Sequence, residues 1–277
     1  MTVSAKTACA AVIGAPIAHS LSPLLMKTWL SEAKIDGAYL AHHVEAEEAV
    51  TAFRGLIALG YRGVNVTAPH KITALESADS ASADASAIGA ANLMLNRDGK
   101  LHAENTDARG FATACQQGGL DLSSGPALVL GAGGAARAII HALVQSNAPG
   151  IMIANRSTAR AQALAQDLCP EAEIIDWADL NVAARRAHII ISTIPAHEGD
   201  NDLIDWAACH QAPGVVDINY GKARGRFLSG ARACGFQTLD GLTMLIEQAR
   251  PSFKALFGIQ PPESVDVESI LREALSS

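Results

Sequence analysis

Three polar clusters interrupt an otherwise apolar N-terminal half: Ile17-Ala18-His19-Ser20-Leu21-Ser22-Pro23, Gly63-Val64-Asn65-Val66-Thr67-Ala68-Pro69-His70-Lys71 and Glu104-Asn105-Thr106-Asp107. Ser, Thr and Asn offer hydrogen bonds, lysine offers positive charge and aspartate an acceptor. Together they suit a pocket for a small hydroxylated anion. Each cluster alone also has a local explanation. Ser22 before Pro23 fits an N-cap followed by proline at the first helical position. Thr67–Pro69 fits a turn, and Asn105–Asp107 fits the cap of a following helix.

A fourth segment carries a sharper pattern. Leu128-Val129-Leu130-Gly131-Ala132-Gly133-Gly134-Ala135-Ala136-Arg137 runs from an apolar strand through a glycine turn into a helix. Gly131, Gly133 and Ala136 match G-x-G-x-x-G/A. Gly131 allows the tight turn, Gly133 lets backbone amides approach a pyrophosphate, and Ala136 permits close helix–strand packing. The N–H groups opening the helix then face the anion. The same turn also fits an S-adenosylmethionine site, or glycines that only pack.

The end of the next strand selects the dinucleotide. An NAD site places Asp or Glu there for the ribose 2′-hydroxyl. This chain instead has Ala154-Asn155-Arg156-Ser157-Thr158-Ala159-Arg160. Two arginines four apart can clasp a 2′-phosphate, with Asn155 and Ser157 as hydrogen-bonding partners; a solvated loop arginine is the plainer alternative. NADP is the expected cofactor, held by Gly131, Gly133, Gly134, Ala135, Asn155, Arg156, Ser157 and Arg160.

The elements that must position these groups alternate. Apolar runs at Ala11–Ile13, Tyr39–Ala41, Val64–Val66, Leu128–Leu130, Ile151–Ile153, Ile189–Ile191 and Val215–Ile218 read as strands. Helical patterns at Pro23–Ala33, Glu45–Leu59, Ala135–Asn147 and Ala159–Leu168 separate them. Such alternation predicts an α/β fold with mostly parallel sheets. Arg97-Asp98-Gly99 between Asn92–Leu95 and Leu101–Ala103 signals an antiparallel hairpin. Val265 to Leu275 reads as a closing helix. The glycines at 118 and 119 and the run Ser123–Pro126 mark the start of a second unit.

Length and composition fit that picture. A chain of 277 residues, 49% hydrophobic and 18% charged, has material for two cores and is not a disordered polymer. A net charge of −7 speaks against a nucleic-acid binder. No apolar run reaches the roughly 20 residues of a membrane span. Five scattered cysteines show neither a disulfide framework nor zinc spacing. No metal and a cytoplasmic location are therefore expected. His42, His43, His141, His188, His197 and His210 sit in no motif and read as surface or satisfied residues; His19 and His70 read as structural.

The clusters, taken in order, resemble the shikimate dehydrogenase family, which includes quinate/shikimate dehydrogenases. The matching elements are Ser20-Leu21-Ser22-Pro23, Asn65-Val66-Thr67-x-Pro69-x-Lys71, Gly89-Ala90-x-Asn92, Asn105-Thr106-Asp107, the Gly131–Arg137 turn and Asn155-Arg156-Ser157. Asp217-x-x-Tyr220 and Asp240-Gly241-Leu242-x-Met244-Leu245-x-x-Gln248-Ala249 complete the series. The resemblance implies two domains with the site in the cleft between them. Residues 1–106 and 239–277 would form a discontinuous α/β substrate-binding domain, and 107–238 a Rossmann-type NADP-binding domain. It implies NADPH-dependent, reversible reduction of 3-dehydroshikimate to shikimate by a monomer or homodimer. Ser20, Ser22 and Tyr220 would hold the substrate carboxylate, Thr67, Asn92 and Gln248 its ring hydroxyls, and Lys71 and Asp107 would form the catalytic pair.

The chain departs from the family pattern at Met26 (often His), His70 (commonly aromatic), Thr243 (usually Gly) and Gly221-Lys222-Ala223-Arg224-Gly225-Arg226 (where Pro and Thr-Pro are usual). If these reshape the pocket margin, quinate or another polyhydroxy acid becomes the alternative substrate. A nonenzymatic NADP-binding redox sensor is the alternative of another class, disfavoured by the retained Lys71 and Asp107.

Overall fold

The computed structural model describes residues 4–195, 203–209, 214–221 and 225–276. The chain forms two compact units, Met1–Gly110 with Leu245–Ser277, and Phe111–Met244. Both are α/β.

The first unit is built from β1 (Ala8–Gly14), α1 (Ser22–Glu32), β2 (Gly37–His43), α2 (Ala49–Ala58), β3 (Gly63–Val66), α3 (Lys71–Glu76), β4 (Ser80–Ala81), α4 (Ala83–Ile88), β5 (Leu93–Arg97) and β6 (Lys100–Glu104). The sheet order is β2-β1-β3-β5-β6-β4. It is mostly parallel, as expected: β1 is parallel to β2 and β3, and β4 to β6, while β5 alone runs antiparallel, to both β3 and β6. The expected hairpin causes the reversal. Asp98 and Gly99 both take positive φ, 55° and 80°, as a two-residue hairpin turn requires. Ala11, Ile13, Val64, Val66 and Met94 of the strands pack with Phe53 and Ile57 of α2 in one apolar cluster.

The second unit begins within α5 (Asp107–Gln117). It continues through β7 (Ala127–Leu130), α6 (Gly134–Gln145), β8 (Ile151–Ala154), α7 (Thr158–Leu168), β9 (Glu173–Ile175), α8 (Leu180–Ala184), β10 (Ile189–Ser192), β11 (Gly214–Asp217), α9 (Gly225–Ala233) and β12 (Thr238–Asp240). Its sheet, β12-β11-β10-β7-β8-β9, is parallel throughout. Strands β7, β8 and β10 are buried along their whole length. That explains why they read as unbroken apolar runs instead of alternating ones. Helix α10 (Gly241–Phe257) then returns the chain to the first unit, and α11 (Val267–Ser276) closes it with Val267 and Leu271 buried.

Both crossings fall a few residues later than the sequence placed them. A Cβ on Gly110 would lie 2.6 Å from the Gln248 Cβ, so the first turn of α5 packs tightly on α10 and stays with the first unit. At the other crossing, β12 pairs with β11 and completes the second sheet.

Among the described residues, no helix is long and apolar enough to cross a membrane. All five cysteines are free: Cys115, Cys169 and Cys209 are buried and Cys234 is exposed. Burial pushes the Cys115 thiol up to about 12. A native-state thiol titration should therefore modify Cys234 first and leave Cys115 unreactive until unfolding. Fast labelling that survives Cys234→Ser would contradict this.

Candidate active site

Strand register determines which segments meet in the first unit. Val12 pairs with Asn65 and Ile13 with Val66, so the loops after β1 and β3 leave the same edge of the sheet. The antiparallel pairs Asn65–Leu93 and Leu93–Glu104 bring the start of β5 and the end of β6 to that edge. Ser20, Ser22, Thr67, Lys71, Asn92 and Asp107 thus follow or precede strand ends on one side. The close approach is tight: a Cβ on Gly14 would sit 2.4 Å from Thr67 Cγ2.

At this edge Lys71 Nζ donates to Asp107 Oδ2 at 2.6 Å. The two side chains are only 12% and 5% exposed. Asn92 Nδ2 donates to the other carboxylate oxygen, Asp107 Oδ1, at 2.7 Å, and to Thr106 Oγ1 at 2.8 Å. The Thr106 backbone N–H in turn donates to Asn92 Oδ1 at 2.8 Å. A backbone donor has no choice of role, so this bond sets the amide's orientation. Gln248 Oε1 lies 3.3 Å from Asn92 Nδ2. The carboxylate is held by two donors on different oxygens, one of them charged, which is the stronger kind of hydrogen bond.

Residues outside the expected set support the pair. Tyr39 Oη donates to Asn65 Oδ1 at 2.8 Å, and Asn65 Nδ2 donates to Ser252 Oγ at 3.0 Å. Ser252 Oγ is 3.4 Å from Thr106 Oγ1. Ser252 follows Gln248 by four residues on α10, the one signal in the sequence that places it on the same helix face. His70 Nε2 donates to the Val44 carbonyl at 2.8 Å, tying the start of α3 to the chain leaving β2. This tie, with His70 buried, fits the structural role expected of it.

Several local expectations need correcting. Ser22 does not cap α1. It lies inside the helix, the N-cap residue Leu21 makes no side-chain cap, and Ser20 Oγ accepts the Ser22 N–H at 3.3 Å. Asn105 does serve the start of α5, accepting the Asp107 N–H at 2.9 Å. Met26 is 1% exposed on the buried face of α1 with Leu25, Trp29 and Leu30, so it belongs to the core and not to an open margin. His42 is half-buried rather than a plain surface residue, and its Nε2 lies buried without a hydrogen-bond partner, its ring 6.1 Å from that of Tyr61. His197, His210 and Lys222–Arg224 lie outside the described residues. Tyr220 belongs to the second unit, after β11, where Asn219 N–H donates to the buried Asp217 at 3.1 Å. Thr243, half-buried, opens α10.

The glycine turn of the second unit follows β7, and its two key glycines differ in kind. Gly131 has φ 114°, and a Cβ there would meet Thr193 Oγ1 at 2.3 Å. The fold itself requires this glycine. Gly133 is extended, exposed, and a Cβ on it would meet nothing within 4 Å. The protein's own packing gives no reason for glycine at 133, and the space left open lies at the N-terminus of α6, as close approach by a pyrophosphate demands. Gly134 and Ala135 form the first turn of that helix.

Past β8, Arg156, Ser157 and Arg160 are exposed, with Arg160 in the first turn of α7. Asn155 Nδ2 is used within the loop, donating to the Ser157 carbonyl at 2.9 Å. Residues present and space available fit an NADP molecule. Two substitutions should separate the glycines. Gly131→Ala should cost about 1–3 kcal/mol of stability through strain and overpacking. Gly133→Ala should keep the melting temperature and weaken NADP and NAD alike in calorimetry. A melting loss equal to that of Gly131→Ala would refute the distinction. Among the described residues no group of three or more His, Cys, Asp or Glu could hold a metal ion.

Residues 12–94 match the family described as shikimate dehydrogenase substrate binding domain, and residues 113–206 match shikimate / quinate 5-dehydrogenase. The shikimate dehydrogenase (NADP(+)) of Maricaulis maris is 42% identical over 270 residues, covering 97% of this chain and 96% of its own. A crystal structure of shikimate dehydrogenase from Aquifex aeolicus superposes with a TM-score of 0.88 at 31% identity, covering all of both chains. That of shikimate 5-dehydrogenase from Thermus thermophilus, in complex with NADP(H) and shikimate, gives 0.82 at 34% identity, covering 97% of this chain and 100% of that one. With each unit matched by a family domain and a relative this similar along nearly its whole length, the chain belongs to the shikimate dehydrogenase family.

Proposed function

We propose that the chain is an NADP-dependent shikimate dehydrogenase, reducing 3-dehydroshikimate reversibly to shikimate in the biosynthesis of chorismate and the aromatic amino acids. The buried Lys71–Asp107 pair, ringed by Asn92, Thr106 and Gln248, carries this reading. A binding module needs no such pair beside a polyol pocket. The first unit would bind substrate and the second NADP.

In the reduction, NADPH supplies the hydride that the C3 carbonyl carbon accepts. The oxygen then develops alkoxide character and needs a proton. Lys71 Nζ stabilises that negative charge and donates the proton, and Asp107 anchors the lysine and accepts a hydrogen bond from a substrate hydroxyl. Thr67, Asn92 and Gln248 orient the ring hydroxyls, and Ser20, Ser22 and Tyr220 bind the carboxylate. Gly131, Gly133, Gly134 and Ala135 would hold the pyrophosphate, and Asn155, Arg156, Ser157 and Arg160 the 2′-phosphate side. The enzyme would work in the cytoplasm, in keeping with five unpaired thiols, as a monomer or homodimer.

Shikimate should be preferred over quinate. Quinate carries a tetrahedral carbon and an extra hydroxyl beside the carboxylate, where two short serine side chains hold the group closely. A buried hydroxyl without a partner costs about 1–3 kcal/mol, or roughly ten- to a hundredfold in kcat/KM. Initial rates with shikimate and quinate, each against NADP and NAD, test the whole assignment. Comparable kcat/KM for the two acids would move the enzyme to the dual-specificity branch, and no turnover with either would leave the sensor alternative.

A further inference from the structure

Strands β8 and β9 are parallel neighbours with Ala154 paired to Ile175. The residues two positions past that pair, Arg156 and Trp177, therefore leave the same edge of the sheet side by side. Their side chains are in contact: the Arg156 guanidinium carbon lies 5.6 Å from the centroid of the Trp177 ring. Trp177 is half-buried, with its body against the apolar core of the second unit. It is anchored on one side and offers an aromatic surface to the cation on the other.

We infer that Trp177 is a positioning residue for the adenosine 2′-phosphate: its indole holds Arg156 extended over the loop after β8, so that the guanidinium is already placed when the phosphate arrives. This rests on Arg156 being a 2′-phosphate ligand. An exposed arginine on an open loop samples many rotamers, and each must be surrendered on binding a dianion. Stacking on a fixed ring removes part of that loss before the ligand binds. A planar guanidinium can keep its face on the indole while its edge N–H groups point to phosphate oxygens. Trp177 thereby acts on the choice between NADP and NAD without touching the phosphate.

The test uses calorimetry with adenosine 2′,5′-bisphosphate and with AMP, which lacks the 2′-phosphate. Trp177→Leu, which keeps apolar contact with the core, should weaken the bisphosphate about two- to fivefold and leave AMP unchanged. Trp177→Phe should recover most of the loss. In an Arg156→Ala background, Trp177→Leu should have no further effect. Fluorescence gives a second readout on the unaltered protein. Trp29 and Trp206 are 0% and 7% exposed, so a change of emission with the bisphosphate but not with AMP reports on Trp177. Equal weakening of both ligands, or an additive loss in the double variant, would overturn the positioning role. A loss with Arg156→Ala but none with Trp177→Leu would also overturn it while sparing the arginine. No loss of 2′-phosphate preference with either substitution would overturn both.

Discussion

Lys71→Met should lower kcat at least a hundredfold, the lower bound of the roughly 10²–10⁴ contributed by a positioned acid–base group. Methionine keeps the length and apolar stem of lysine, so the substitution removes the charge and the transferable proton while disturbing packing little. Substrate KM should change only modestly, because the proposed contacts of Asn92, Thr67 and Gln248 with the ring hydroxyls would remain. The variant also strips Asp107 of its charged partner, leaving a 5% exposed carboxylate with Asn92 as its remaining side-chain donor. Breaking a buried pair on one side is destabilising, so a lower melting temperature is expected, and activity must be measured well below it. A double variant, Lys71→Met with Asp107→Asn, should recover stability and stay inactive. Turnover close to that of the unaltered enzyme would remove Lys71 from the role of proton donor.

Arg156→Ala and Arg160→Ala should each raise the KM for NADP by about one to two powers of ten and leave that for NAD nearly unchanged. Loss of a charge-assisted hydrogen bond costs about 1.5–3 kcal/mol. Both arginines are exposed, one on the loop after β8 and one in the first turn of α7, so neither is needed to fill the core. The two should not be equivalent. Arg156 lies over the Trp177 ring, so if that ring positions it, its guanidinium should contribute the larger share. Weakening of both cofactors to the same degree would place the arginines on the shared pyrophosphate or in the service of the fold.

Where interactions are local, the residues alone were sufficient. A glycine turn between a strand and a helix is a short-range steric statement, and Gly131 to Ala136 could be read directly. Asp98-Gly99 announced a hairpin because only a few residues tolerate two positive φ values in succession. Cofactor choice was legible for the same reason, since it turns on which side chains follow one strand. The Ser22 cap failed at the same short range. Two serines stood within two residues of the helix start, and only the backbone path shows which hydroxyl meets the free N–H.

What tertiary structure decided is which distant groups meet. Lys71 and Asp107 lie 36 residues apart, and their contact depends on a reversal of sheet direction at β5 and β6. No periodicity encodes that pairing; the family resemblance alone suggested it. Tyr39, Asn65 and Ser252 come from an edge strand, a central strand and a helix 187 residues beyond Asn65, and join one buried network because polar groups removed from water must find each other. Gly110 stood in no motif, and only the packing of α10 against it shows why glycine is needed there. Trp177 carried no motif at all, and only the register of β8 against β9 sets its ring beside Arg156. Sequence determined the elements and the chemistry available to each, because backbone sterics and hydrophobic pattern act over a few residues. The fold determined which chemistries share a site, because burial and hydrogen bonding are settled between elements far apart along the chain.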